Sequence, residues 1–343
     1  MSSRSVNYSG LSMSFSEQQI DTALHSRGTL FTKRKWYSIV AIVSVFVGWS
    51  IGPLGSTGSL MRLFVFCVAS SVVAAILLWV GRIVLAMTRD SIVEQLRLKQ
   101  FASDNGFTYT LSIPDPNYPG VIFGTGSYRR IYDQFIGNAN GEFEVGNYEY
   151  TVRQGKSSTT YRRGYIRIAL VRHVAHMLLD GTANNTNLLG ANLSNLPIAM
   201  SRDQTLQLEG DFNKHFTLYA PKEYERDALY VFTPDLMGLL IDEANQFDVE
   251  VIDDQLYVYG KEFDLSDQAS WRRVFAIIST VGAKTISQTD YYADEQVGDR
   301  KIDAVASGGR RLRRGIPWVP VVAAVSGFLF VAVQVIIDWV IQR

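Results

Sequence analysis

Two apolar stretches, WYSIVAIVSVFVGWSIGPL at residues 36–54 and LMRLFVFCVASSVVAAILLWVGRIVLAM at residues 60–87, decide how the rest of the chain is organised. A short loop of small residues at 55–59 separates them. A helix needs roughly 20 mostly apolar residues to cross the hydrocarbon layer of a bilayer, and both stretches are close to that length. A third apolar stretch covers residues 317–341. The sequence therefore predicts three transmembrane helices, of which the first two form a hairpin.

The basic residues near these stretches predict their orientation, because the cytoplasmic flanks of spanning helices are enriched in Lys and Arg. Three flanks are basic, and Arg62 and Arg343 are the exceptions on the opposite side. The N-terminus and the polar domain are therefore expected in the cytoplasm and the C-terminus outside. The expected contacts with anionic inner-leaflet lipids are the basic groups of these flanks, Lys33, Arg34, Lys35, Arg310, Arg311, Arg313 and Arg314.

Composition and periodicity divide the remaining chain. Residues 1–35 begin with a Ser- and Asn-rich stretch at 1–14 that is expected to be disordered. A short amphipathic helix near the membrane surface or a frayed segment follows it. Ser16 and Gln19 fit a capping box at the start of that helix. The later segments are predicted as a first α+β unit at 90–200, a second α+β unit at 201–284 and a polar connecting tail at 285–316. Whether the two units share one core stays open on this pattern.

The first unit alternates with a period of two along most of its length, which is typical of antiparallel strands. Residues 143–152 and 165–171 are interpreted as the two strands of a hairpin around a polar loop at 154–158. Asn105-Gly106 is expected to end the helix that continues from the second span, because this pair suits left-handed backbone. The stretch 181–195, rich in Asn and Gly, is expected to be a loop.

The second unit combines strands with two amphipathic helices. Thr233-Pro234 predicts a helix start, with Thr as the cap and Pro at the first helical position. Residues 249–252 and 256–259 are interpreted as a hairpin, and a last helix runs from a Ser266 cap to Gly282. The fold class expected from both units is an α+β cytoplasmic domain of antiparallel hairpins plus two or three amphipathic helices, attached to three transmembrane helices.

Charge and cysteine content exclude several classes of function. The chain has 33 basic and 33 acidic residues, so its composition gives no support to nucleic-acid binding. Its single cysteine, Cys67, lies in the second span, which leaves no thiol for a disulfide or a thiolate metal site in the domain. Charge is nevertheless uneven, since residues 127–173 carry 8 basic and 4 acidic residues and residues 201–303 carry 10 and 21.

The motifs that resemble binding or catalytic signatures fail on their spacing. Gly124-Thr125-Gly126 lacks the third glycine of a dinucleotide loop and is expected to be a turn. Gly155-Lys156-Ser157 lacks the first glycine of a phosphate-binding loop and lies between two strands. Several carboxylates are neighbours in the sequence, such as Asp242-Glu243 and Asp253-Asp254, but the sequence does not show which of them would form an acid/base pair. We therefore expect no catalytic and no cofactor-binding residue.

His173 and His176 are the best candidates for metal ligands in the chain. Their spacing places both on one face only in a helix, whereas the residues before them read as a strand. The two histidines are therefore interpreted as partly buried and hydrogen-bonded, and we expect neither of them to bind a metal.

Four stretches carry a resemblance to known proteins: 101–107, 176–180, 208–237 and 280–285, which together span most of residues 100–290. In these stretches the chain resembles a group of uncharacterised bacterial multi-pass membrane proteins with a cytoplasmic domain of unknown function. At Ala175 the chain departs from the proline that the resemblance implies. The resemblance implies a bacterial inner-membrane setting, and it implies no catalytic residue, cofactor or activity.

The function expected from the sequence is a membrane-anchored, non-enzymatic scaffold or sensor of the bacterial envelope. Its cytoplasmic domain would bind a protein partner or a peptide, and an exposed apolar or acidic patch on residues 201–303 would favour this hypothesis. The alternative is a membrane-tethered small-ligand-binding or hydrolytic domain, which a deep pocket lined by convergent polar groups would favour. Homo-oligomerisation stays open.

Overall fold

A computed structural model describes the chain in two compact units, Met1–Asn105 and Gly106–Arg343. The described residues are 6–26, 33–51, 59–138, 141–155, 157–188, 191–208 and 210–315. The third predicted span at 317–341 and the loop residues 55–58 lie outside them.

The first unit contains three helices: α1 (Glu17–Ser26), α2 (Lys33–Ile51) and α3 (Ser59–Asn105). Helices α2 and α3 pack along each other, as the predicted hairpin requires. Within the described residues only Cys67–Asn105, part of α3, is long and apolar enough to cross a membrane. The apolar segment found in α2, Tyr37–Phe46, is shorter. The described part of the chain thus gives one candidate spanning helix where the sequence predicts three.

The N-terminal residues pack against the end of α3. The capping box is confirmed, because the Ser16 amide donates to Gln19 Oε1 at 2.9 Å and the Gln19 amide to Ser16 Oγ at 3.4 Å. Residues 6–14, for which composition predicts disorder, are instead ordered. A Cβ atom on Gly10 would lie 2.5 Å from the Phe101 amide nitrogen, so the missing side chain permits this contact. Helix α3 ends as predicted, with Gly106 at a φ of 73°.

The second unit is built on one antiparallel sheet of seven strands. Strand β4 is its centre, since β3 and β9 pair with its first half and β8 and β9 with its end. The two predicted α+β units therefore contribute strands to the same sheet, and the α+β class is confirmed. The nine strands are β1 (Thr108–Pro114), β2 (Ser127–Asn138), β3 (Glu142–Gln154), β4 (Ser157–Gly181), β5 (Thr186–Leu188), β6 (Ala191–Leu193), β7 (Thr205–Leu206), β8 (Phe216–Tyr219) and β9 (Asp248–Lys261).

Two strand predictions have different outcomes. The hairpin of β3 and β4 is confirmed, with Gln154 opposite Ser157. The hairpin predicted around residues 253–255 is wrong, because β9 continues through Asp253 with a local φ of 54°. The register with β4 shifts at the same place, so both strands bend there. In addition, the stretch predicted as a loop at 181–195 contains the small hairpin of β5 and β6.

The bend of β9 folds the strand back toward itself. Tyr259 Oη donates to Glu250 Oε2 at 2.5 Å, although the two residues are nine positions apart on one strand. A straight strand would separate their Cα atoms by about 30 Å. The sheet therefore encloses an interior around Glu250.

The central strands β3, β4 and β9 give the sheet two different faces. One, here called the helix face, carries apolar residues such as Val145, Ile168 and Val258 and lies under the buried side of α7. The other, here called the tyrosine face, carries Glu144, Arg167 and Tyr257 in one row across β3, β4 and β9. The next row on this face contains Tyr165 and Tyr259.

The remaining helices are α4 (Phe212–His215), α5 (Glu225–Val231), α6 (Pro234–Ala244), α7 (Gln268–Ile277) and α8 (Ala283–Thr289). The predicted start of α6 is confirmed, but Thr233 Oγ1 is buried and makes no hydrogen bond. Asp267 caps α7 instead of Ser266, because its carboxylate accepts from the Ser270 amide at 3.0 Å. The chain also continues past Gly282 through a π-helical turn into α8, where the sequence predicts an end.

The tail predicted as a polar connector is packed against the sheet as far as it is described. The His176 amide donates to the Gly309 carbonyl at 2.8 Å, and the Leu312 amide donates to His176 Nδ1 at 3.0 Å. Leu312 is buried against the tyrosine face. These contacts fix the chain just before the predicted third span.

Candidate functional site

A groove of about 510 Å³, here called the Tyr291 groove, opens between α5 and the turn that follows α8. Side-chain hydrogen bonds hold this turn against α5 and the residue before it. Tyr292 Oη donates to Asp227 Oδ1 at 2.8 Å, and Tyr224 Oη donates to Asp294 Oδ2 at 2.8 Å. The Gln296 amide donates to Asp294 Oδ1 at 2.8 Å and so caps the short helix Glu295–Val297. The groove is thus a fixed feature of the domain surface.

Two exposed tyrosines line this groove. Tyr291 is 86% exposed and Tyr230 is 42% exposed. The Tyr230 ring lies 6.1 Å from the ring of buried Tyr292, which holds it at the groove wall. Protein interfaces are enriched in Tyr and Arg, and their strongest contacts frequently come from these residues. The groove thus combines exposed aromatic rings with charged side chains.

The three arginines of the groove already have partners. Arg226 and Arg300 both face Glu295, at 3.6 Å and 3.0 Å. Arg172 Nε donates to the Tyr292 carbonyl at 3.1 Å. In contrast, the carboxylate of half-buried Asp290 has no hydrogen-bond or ion-pair partner among the described residues. The groove therefore has an acidic group free to receive a cation.

A second cleft, of about 700 Å³, lies between the 181–186 loop and α7, and is here called the Phe247 cleft. The Phe247 and Phe263 rings, 6.2 Å apart, form part of its lining. Arg273 places its guanidinium 4.8 Å from the Phe247 ring centre. A Cβ atom on Gly260 would lie 2.6 Å from Phe247 Cε1, so this glycine makes room for the ring.

The structure places His173 and His176 in different environments on β4. Buried His176 contacts Glu250 through Nε2 at 2.7 Å, while its Nδ1 accepts from the Leu312 amide. Because Nδ1 is an acceptor here, Nε2 carries the proton and donates to Glu250. His173 Nδ1 lies 3.0 Å from Asp303 Oδ2. The predicted hydrogen bonds are present, and they attach both histidines to separate carboxylates.

The other sequence candidates lie in turns or on helices. Gly126 precedes β2 with a φ of 75°, and Gly155 lies between β3 and β4 with a φ of 61°, as expected for turns. Asp253 is paired with Arg311 at 2.8 Å. Asp242-Glu243 lies on α6. The described residues contain no group of three or more His, Cys, Asp or Glu side chains suited to hold a metal ion.

Sequence reasoning missed the residues of the Tyr291 groove. The signal for this groove in the sequence was the cluster Asp290-Tyr291-Tyr292, which places two aromatic residues inside a stretch that otherwise resembles a polar connector. The pattern gives no reason for one tyrosine to be buried and the other exposed. That difference arises from the bond between Tyr292 and Asp227.

Comparisons with known proteins give one remote structural match. No protein-family model matches the sequence, and no curated protein matches it. A crystal structure of the mycobacterial trehalose monomycolate transport factor A, TtfA, matches at 12% identity with a TM-score of 0.35. The match covers 56% of this chain and 92% of that chain. At this level the similarity supports no conclusion about function.

Proposed function

We propose that this chain is a membrane-associated scaffold or sensor whose α+β domain binds a basic segment of a partner protein in the Tyr291 groove. The observation that carries the proposal is the exposure of Tyr291 beside the unpaired carboxylate of Asp290. A Lys or Arg side chain from a partner can stack on such a ring and pair with such a carboxylate.

Charge supports a basic partner. Residues 201–303, which supply most of the groove, carry 21 acidic and 10 basic residues. The field of an acidic surface attracts basic segments and repels acidic ones. The arginines of the groove oppose this attraction less than free arginines would, because each has a carboxylate within 4 Å. Arg226 and Arg300 share Glu295, and Arg172 lies 3.5 Å from Asp303.

The binding test uses the full-length chain in detergent and short synthetic peptides that are basic, acidic or neutral. We expect the basic peptides to bind most tightly by fluorescence anisotropy. Tyr291→Ala should weaken this binding by roughly 10-fold or more, as for a central interface residue. Asp290→Asn should weaken it less and reduce its dependence on salt.

The matched control is Tyr128→Ala on β2, where the tyrosine is 73% exposed and lies outside the groove. This variant should bind as the unaltered chain does. Equal affinity for acidic and basic peptides, or an equal loss in Tyr128→Ala, would contradict the proposed function.

The membrane setting belongs to the same proposal. It consists of three spans in a bacterial inner membrane, with the N-terminus and the domain cytoplasmic and the C-terminus outside. The length and apolar character of α3 support membrane association, and the basic flanks support the orientation. Arg311 and Arg313 are paired with Asp253 and Asp203, so lipid contact is proposed mainly for the other basic flank residues, Lys33, Arg34, Lys35, Arg310 and Arg314.

Cysteine labelling tests this orientation in a Cys67→Ser background. A cysteine placed at Gly58 should react with a membrane-impermeant thiol reagent in intact cells, and one placed at Ser157 or Ser201 should not. Labelling at either domain position without lysis would overturn the cytoplasmic placement of the domain.

A second candidate function is the binding of a small ligand in the Phe247 cleft. The adjacent Phe247 and Phe263 rings and the guanidinium of Arg273 combine apolar and polar groups, as ligand sites do. A fragment screen by ligand-observed NMR tests this function. Hits should be lost in Arg273→Ala and retained in Tyr291→Ala, and a screen without such hits would contradict it.

A further inference from the structure

A cluster of buried oxygen atoms lies where β4 ends and β9 begins. It contains the carboxylates of Asp180 and Asp248 and the side-chain amides of Asn184 and Asn195. Asp248 has no exposed surface and Asp180 only 4%. The cluster is separate from the groups that form the Tyr291 groove.

Hydrogen bonds connect these residues but leave several of their oxygens without a donor. Asp248 Oδ1 accepts from the Gly181 amide at 3.0 Å and from Asn184 Nδ2 at 3.1 Å. Asp248 Oδ2, Asn184 Oδ1 and Asn195 Oδ1 are buried and have no hydrogen-bond partner. Asn195 Nδ2 donates to the Asn184 carbonyl at 3.3 Å, which keeps the two asparagines adjacent.

Buried acceptors without a hydrogen-bond donor destabilise the folded state. A buried charged group without its hydrogen bond does so more strongly than a neutral polar group. The cluster thus combines two buried carboxylates with unused lone pairs, and its described polar contacts leave these oxygens without donors.

We propose that Asp180, Asp248, Asn184 and Asn195 form a binding site for a hard divalent cation of the calcium class. Carboxylate and amide oxygens are the ligands that such cations prefer, and calcium accepts irregular sets of them. The nitrogen and sulfur ligands that favour zinc are not members of this cluster. The site goes beyond the proposed function, because it shares no residue with the Tyr291 groove.

The position of the site gives the cation a structural role in the domain. Asp180 is on β4 and Asp248 on β9, whereas Asn184 and Asn195 flank the β5–β6 hairpin. A bound cation would join the hairpin to the sheet. Asn184 also lines the Phe247 cleft, so cation binding would order one wall of that cleft.

The test is calorimetric titration of CaCl2 into the full-length chain in detergent after removal of metal by a chelator. We expect saturable binding of one calcium ion per chain and a higher melting temperature in calcium than in chelator. Asp248→Asn should weaken calcium binding by roughly 10-fold or more, because it removes a charged ligand. Asp242→Asn on α6 is the matched control, since Asp242 is an exposed carboxylate outside the cluster, and it should bind as the unaltered chain does.

A gain-of-charge variant keeps the proposal testable even if Asp248→Asn fails to fold. Asn195→Asp loses the hydrogen bond from Nδ2 to the Asn184 carbonyl but adds a carboxylate to the cluster. The added charge outweighs this loss for a divalent cation, so the variant should bind calcium more tightly than the unaltered chain. Absence of saturable calcium binding in the unaltered chain at millimolar concentration would overturn the proposal. Equal weakening in Asp242→Asn and Asp248→Asn, or weaker binding in Asn195→Asp, would overturn it as well.

Discussion

The helix face and the tyrosine face of the sheet are both buried but are held by different forces. On the helix face, α7 places Trp271 against Phe135, with the ring centres 4.8 Å apart, and the contacts are apolar. On the tyrosine face, Glu144 has no exposed surface and accepts from Tyr118 at 2.9 Å and from Gln134 at 2.6 Å. Burial of apolar area stabilises the first face, whereas the second depends on hydrogen bonds to its buried charged groups.

This difference shows how a strand can be buried on both sides without being apolar throughout. Glu144 carries a charge that would be costly to bury alone. Arg167 Nη2 lies 2.8 Å from its carboxylate, and Tyr165 Oη also donates to it. Its neighbour Val145 projects toward the opposite face and contributes apolar area there. The tyrosine face should therefore respond to changes in polarity, and the helix face to changes in volume.

The largest expected effect is on the helix face. Trp271→Ala removes a fully buried ring and should lower the free energy of unfolding by about 3–5 kcal/mol. Trp271→Phe should cost less, because it keeps an aromatic ring although it loses the bond from Nε1 to the Leu265 carbonyl. Urea midpoints of the full-length chain, followed by pulse proteolysis, measure both. If Trp271→Phe lowers the free energy of unfolding as much as Trp271→Ala does, side-chain volume does not govern the stability of this face.

The next effect compares two substitutions that conserve shape. Glu144→Gln should lower the free energy of unfolding by roughly 2–4 kcal/mol, because it leaves the guanidinium of Arg167 without its buried counter-charge. Leu256→Met on the helix face should cost less than about 1.5 kcal/mol. Urea midpoints measure both variants as above. Equal losses of unfolding free energy in the two variants would contradict the distinction between the faces.

The smallest effect separates two stacked tyrosines of the tyrosine face. Tyr259→Phe removes a hydrogen bond to the Glu250 carboxylate and should cost about 1.5–3 kcal/mol. Tyr257→Phe removes a buried hydroxyl that has no partner, so it should be neutral or stabilise the domain by up to about 1 kcal/mol. A Tyr257→Phe variant as unstable as Tyr259→Phe would show that unmade hydrogen bonds do not govern this face.

Local patterns in the sequence were sufficient where neighbouring residues carry the structure. Ser16 and Gln19 satisfy each other within one helical turn, so their capping box is readable. The hairpin of β3 and β4 is readable for the same reason, since a short loop fixes its register. Pro234 at the start of α6 likewise acts on its own turn.

Interactions between distant residues explain the failures. Asp253 looked like a hairpin turn, yet β4 pairs with β9 on both sides of it and its carboxylate pairs with Arg311. The tail looked like a connector because its contacts with His176 come from residues more than a hundred positions away. No local pattern near Asp180 or Asp248 shows that these two residues lie close together, because β4 and β9 are neighbours only in the folded sheet.

The sequence by itself determined the apolar stretches, the alternating strands, the helix starts and the α+β class, because each depends on the spacing of residues within a few positions. Only the tertiary structure decided that both predicted units share β4, that Tyr291 is exposed while Tyr292 is buried, and that four oxygen-bearing side chains gather at the end of the sheet. These features depend on which segments meet across the fold. Alternation of residue types with a period of two shows that a strand has two faces, but it does not show what will cover each of them.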